Sequence, residues 1–172
     1  AVVFASVATG CAALFASLAG SLSPAVGLAS LVAGSAAGVL VVRSVRGAGL
    51  GAGETARGGG PWGALALVAF AAASIRQFGW IAYEQGGILF TLLPNNYGDL
   101  PLHWTYVQHL AGGAPFWPEN PILTHDRLRY PFGVDLLTAV FVQLGASLPT
   151  LLPIMGLAGA ALAAFALRAW GG

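Results

Sequence analysis

Residues 25–42 read AVGLASLVAGSAAGVLVV, eighteen consecutive positions without a charge. A helix needs about 20 predominantly apolar residues to cross the hydrocarbon core of a bilayer. This run, closed by Arg43, meets that length. Its Gly, Ala and Ser content suits membrane helices, whose backbones approach closely where side chains are small. Ser21-Leu22-Ser23-Pro24 makes a tight turn before it, with Pro24 suited to a first helical turn. Working outward, an uncharged stretch from Ala1 to about Leu18 predicts a first span. A third is expected from Trp62 to about Ile81, with Trp62 and Trp80 placed like interfacial anchors. A fourth runs from Pro149 to Leu167 and ends at Arg168. Only 8% of the chain is charged, against roughly 25% in an average soluble domain. Too few charges are present to cover a soluble domain of this size. The expected fold class is therefore all-α: a polytopic transmembrane helix bundle with amphipathic interfacial helices in an extracytoplasmic loop.

The charges also bound function and orientation. A formal net charge of +1, with no basic stripe, excludes nucleic acid as a partner. The single cysteine, Cys11, leaves no internal disulfide and no CxxC metal site. No Lys or Arg precedes Arg43, so the first run lacks the basic region of a signal peptide. Ala1 is not a methionine and the chain stops at Gly172 just after an apolar run, so a piece of a larger polytopic protein is expected. Residues 1–61 form one segment, two spans and a Gly-rich loop; residues 62–172 form a second. That loop carries Arg43, Arg46 and Arg57, which makes it cytoplasmic by the Lys/Arg bias. Its Gly-Ala-Gly-Leu-Gly-Ala-Gly run is a flexible connector, lacking the lysine and preceding strand of a phosphate loop. The third helix then exits, and residues 82–133 lie outside. Val134 to Leu144 is apolar but short, which suits an interfacial or re-entrant helix.

The outer segment holds all three histidines and most of the functional candidates. Residues 95–110, NNYGDLPLHWTYVQHL, predict a turn feeding a helix. Leu100, Trp104, Val107, Leu110 and Ala111 fall on an arc of roughly 120°. Asp99, Thr105, Tyr106, Gln108 and His109 occupy the rest, with His103 at the border. An amphipathic helix of this kind lies along a membrane surface. Asp99 is either the helix N-cap or a general base or ligand at a cavity mouth. Asp99 and His103 are one turn apart and share a face. Two such groups are too few to hold a metal alone. Proline density from Pro115 to Pro131 forbids regular structure there. Asp126 beside Arg127 and Arg129 reads as a local charge cluster, or the arginines grip a phosphate. Arg76 either snorkels to the headgroups or points at an anionic lipid.

The order of these features resembles a known family. A turn with Gly98-Asp99, an amphipathic helix, a proline-aromatic stretch and Arg129-Tyr130-Pro131-Phe132 precede an apolar helix and a span ending in Arg. This resembles the first outer loop of the GT-C superfamily of membrane glycosyltransferases, over roughly Trp62 to Arg168. The resemblance implies two helices lying along the membrane and a catalytic acidic residue, here Asp99. It implies transfer of a sugar from a polyprenyl-phosphate donor to an acceptor on the extracytoplasmic face of the plasma membrane. His103, Arg76, Arg127, Arg129, Trp104, Trp117 and Tyr130 would then bind substrate, the arginines at the phosphate and the aromatics at sugar or lipid. This chain has one acidic residue where relatives commonly have a pair, and two additional spans come first. A divalent metal stays open, as does the oligomeric state. Membrane lipid and a lipid-linked sugar donor are the expected partners. The rival readings are a transporter or lipid flippase, which needs ionisable groups at mid-membrane, and a non-catalytic membrane subunit.

Overall fold

The computed structural model describes residues 2–17, 20–47, 60–92 and 96–170. The Gly-rich stretch with Glu54 and Arg57 lies outside them, as does the side chain of Arg46. Six helices account for most of the described chain: α1 (Val2–Ser17), α2 (Pro24–Gly47), α3 (Pro61–Phe78), α4 (Asn96–Ala111), α5 (Gly133–Gln143) and α6 (Leu148–Trp170). Helix boundaries follow local chemistry. Pro24 opens α2, and the Ser23 hydroxyl accepts a hydrogen bond from the Val26 N–H at 3.3 Å, an N-cap contact. Pro61 opens α3 after Gly60. Buried hydroxyls inside helices turn back on their own carbonyls, Thr9 to Ala5 at 2.8 Å and Ser30 to Val26 at 2.7 Å. They therefore require no partner from another element.

Two compact units emerge, residues Ala1–Ser44 with Gly98–Leu148, and Val45–Tyr97 with Pro149–Gly172. In the first unit, α5 packs on α1. It buries Asp135, Leu136, Thr138, Ala139 and Val140. Gly27 of α2 meets Val140, where an added Cβ would lie 3.3 Å from Cγ1. α2 comes against α1 at Gly34, where a Cβ would collide with the Thr9 side chain and sit 2.6 Å from the Thr9 nitrogen. Leu22, Val107, Leu110, Leu128 and Leu136 complete this core. Burying each such Leu or Val contributes about 1.5–3 kcal/mol. The Gln143 amide ties two chain ends, donating to the carbonyls of Leu22 and Ala111. That of Ala111 is one of the carbonyls that the C-terminus of α4 leaves without a helical partner.

The second unit has a different character. α3 contains no buried residue, and Trp62, Leu65, Val68 and Ile75 are all exposed. α6 likewise exposes Ile154, Phe165 and Leu167. Gly156 of α6 lies against the Phe78 ring of α3, so close that a Cβ there would force the ring aside. After α3 the chain forms a hairpin, β1 (Tyr83–Gln85) and β2 (Ile88–Phe90), with Tyr83 paired to Phe90 and their rings stacked at 5.6 Å. Gly86 and Gly87 take φ of +61° and +79°. A two-residue turn with both φ values positive favours Gly at each position.

The chain is mostly helical, as expected, with one short antiparallel hairpin at the Gly86–Gly87 turn. Four spans are expected, but among the described residues two helices, Pro24–Val45 and Leu148–Arg168, are long and apolar enough to cross a membrane. α1 has 16 residues, about 24 Å against the roughly 30 Å of hydrocarbon. α3 ends at Phe78 rather than Ile81, and Arg76 and Gln77 in its last turn shorten its apolar run. On α4, Tyr106 is buried and not on the polar side. Its ring packs against Tyr130, with centroids 5.4 Å apart, which hides the apolar body of the phenol.

Candidate functional site

The first unit places a carboxylate and an imidazole together between α4 and α5. His103 Nδ1 lies 2.9 Å from Asp135 Oδ1 and 3.1 Å from Oδ2. Asp135 stands in the first turn of α5, where the helix dipole favours a negative charge. Its side chain is 6% exposed, while that of His103 is 36% exposed. Burial holds the Asp135 carboxyl above its ordinary range, against the lowering effect of the hydrogen bond and charge of His103. Desolvation outweighs the imidazole because the carboxylate loses nearly all of its water. Two tyrosines wall the pair. The Tyr130 ring meets His103 edge-on at 5.7 Å. Burial raises the Tyr106 hydroxyl above its ordinary pKa, with Tyr130 and Asp135 adding to the effect.

A buried carboxylate on one imidazole nitrogen is an orienting arrangement. When Asp135 is ionised, Nδ1–H donates to it and Nε2 keeps its lone pair. The half-exposed ring can then take a proton from a hydroxyl brought to it. The carboxylate fixes the ring's rotation and stabilises the imidazolium that forms.

Asp99 lies in the first turn of α4, exposed, three residues past the start of the helix at Asn96. It is therefore not the N-cap, although a carboxylate near a helix N-terminus is favourable. One turn on, His103 bonds across to Asp135. Trp104 is half-buried on the same helix. Tyr130 joins the pair, as described. The other candidates assemble a separate loop. There Leu128 N–H donates to the Pro118 carbonyl at 3.0 Å and Asn120 N–H to that of Asp126 at 2.8 Å. The Trp117 indole donates to the Leu128 carbonyl at 2.6 Å, and Arg127 Nη1 donates to the Trp117 carbonyl at 2.6 Å. Arg129 pairs with Asp126 at 3.4 Å, an exposed ion pair of the kind worth roughly 0–1 kcal/mol. Arg76 stands exposed in the last turn of α3, in the second unit.

The sequence reading gives Asp135 and Gln143 no role and sets Tyr106 on the polar side of its helix. Asp135 had a signal: it is the one charge in the apolar run 132–144, and an ionisable group in such a run is retained for a reason. Among the described residues, no three His, Cys, Asp or Glu side chains gather as a metal-ligand group. Comparison with family models, with curated proteins and with solved structures finds no match.

Proposed function

We propose that this chain belongs to a membrane glycosyltransferase of the GT-C type, which moves a sugar from a polyprenyl-phosphate donor to an acceptor hydroxyl. The observation that carries the reading is the half-exposed His103 imidazole held by a buried Asp135, in a segment bounded by helices with exposed apolar faces. Soluble monomers rarely leave such large apolar areas uncovered, and lipid covers them naturally. α4 and α5 are the two loop helices of the family layout; α5, at 11 residues, is too short to cross. In this reading α3, whose 18 residues fall within the length a span requires, crosses as α2 and α6 do, and the protein is integral to the plasma membrane with residues 43–61 cytoplasmic and 82–133 extracytoplasmic.

The chemistry asks little covalent work of the protein. The acceptor oxygen attacks the anomeric carbon, its proton passes to a base, and the carbon–oxygen bond to phosphate breaks with the electron pair leaving on the lipid phosphate. Positioning and a base carry most of the catalysis. His103 Nε2 or the Asp99 carboxylate takes the proton. Arg127 or Arg129 offsets the charge of the departing phosphate, and Trp104, Trp117 and Tyr130 face sugar or lipid.

The test is sugar transfer by the full-length protein from polyprenyl-phosphate donors, comparing Asp99→Asn and His103→Gln with the parent. Each variant keeps the shape of its side chain, so thermal stability serves as the folding control. Loss of the base lowers turnover about 100- to 10,000-fold. A loss confined to Asp99→Asn assigns the base to Asp99; a loss confined to His103→Gln assigns it to the pair. Near-normal turnover in both variants removes this site from the reaction.

A further inference from the structure

The second unit contains a groove of about 390 Å³ between α3 and α6, within the usual range for ligand sites. Leu67, Phe70 and Ile75 form one wall, Leu157 and Phe165 the other, and Arg168 stands at one end. The α3 positions repeat at three and four residues, as do those of α6 from 157 to 168. Each wall is thus one continuous helix face. At the other end the helices close where Gly156 meets the Phe78 ring. The one hydroxyl in the lining, that of Ser74, is already donated to the Phe70 carbonyl at 2.8 Å. Arg168 is thus the one charged or unsatisfied polar group the groove offers.

We propose that this groove holds one acyl chain of an anionic phospholipid, with the lipid phosphate on the Arg168 guanidinium. Length decides among occupants. The α6 wall from Leu157 to Arg168 rises about 16 Å, half of the roughly 30 Å hydrocarbon core. That is the depth of one leaflet, and so of one acyl chain. A neighbouring transmembrane helix would run the full thickness and would continue past Gly156, where the groove is shut. Charge decides the headgroup. A guanidinium presents planar donors matched to phosphate oxygens, and the choline of a zwitterionic lipid would add a second cation beside Arg168, with no carboxylate in the lining to receive it. The site is independent of the His103–Asp135 pair and of the glycosyl-transfer reading.

Native mass spectrometry of the full-length protein in an uncharged detergent tests the assignment. Phosphatidylglycerol and phosphatidylcholine of identical chains are added at equal concentration. One phosphatidylglycerol is retained in preference to phosphatidylcholine, and Arg168→Gln reduces that preference about tenfold, the loss of one charge-assisted contact. Ala164→Leu fills the groove from its α6 wall and reduces retention of both lipids. Arg168→Gln changes an exposed residue and leaves folding intact, so it decides the matter should Ala164→Leu lower stability. Equal retention of the two lipids by the parent protein overturns the proposal. So does an unchanged preference in Arg168→Gln, or displacement of the bound lipid by inorganic phosphate alone.

Discussion

The two compact units solve the same problem, covering apolar surface, in opposite ways. In the first, α5 turns Leu136, Ala139 and Val140 inward, and polar side chains close the ends: Gln143 on two carbonyls, His103 on Asp135. In the second, α3 buries nothing and its large apolar side chains face outward. The first unit builds an interior around α5 while α2 still exposes Leu28, Val32 and Leu40; α3 in the second builds none. Equal substitutions in the two units should therefore have unequal effects.

The largest effect concerns sides of the membrane. With Cys11 replaced by Ala, a cysteine at Leu123 should be labelled by an impermeant reagent from outside, and one at Gly58 only after permeabilisation. The reverse pattern ends the proposed orientation. Next is packing. Gly34→Leu drives side-chain atoms into the α1 backbone at Thr9 and Ala5 and should cost about 3 kcal/mol or more, because backbone cannot move aside as a side chain can. Leu65→Ala on the exposed face of α3 should change stability by no more than about 0.5 kcal/mol. Thermal unfolding in detergent compares the two, and similar costs would erase the contrast between the units.

The smallest effect is a dependence on pH. Because the folded Asp135 carboxyl titrates above its ordinary value of 3.8, the native state keeps that proton where the unfolded chain has lost it. The stability it contributes is full below about 3.8 and fades as pH rises through the folded value. Asp135→Asn cannot titrate and should flatten that part of the profile. Melting temperatures from pH 3.5 to 7 make the comparison.

Apolar runs were readable because helix length and bilayer thickness impose a coarse pattern: α2, α5 and α6 begin and end within a few residues of the runs 25–42, 134–144 and 149–167. The hairpin was equally available, since Gly86–Gly87 between Tyr83 and Phe90 is a turn signal, but a short polar-aromatic stretch is easily absorbed into a loop. The partner of His103 was not. Residues 103 and 135 are joined by tertiary packing alone, and local periodicity proposes Asp99, one turn away, before it can propose Asp135. Tyr106 escaped for the same reason: a phenol placed on the polar arc by its hydroxyl was claimed by the Tyr130 ring.

Gln143 has a consequence in time as well as in space. Its amide closes on Leu22, a residue made more than a hundred positions earlier, and α1 finds its partner in α5 only when both have left the ribosome. Between Ser44 and Gly98 the growing chain produces sequence that belongs to the other unit. At about 5–20 residues per second, the first two helices wait several seconds for α5. The buried Thr9 and Ser30 hydroxyls, already bonded within their own helices, leave them fit for that wait.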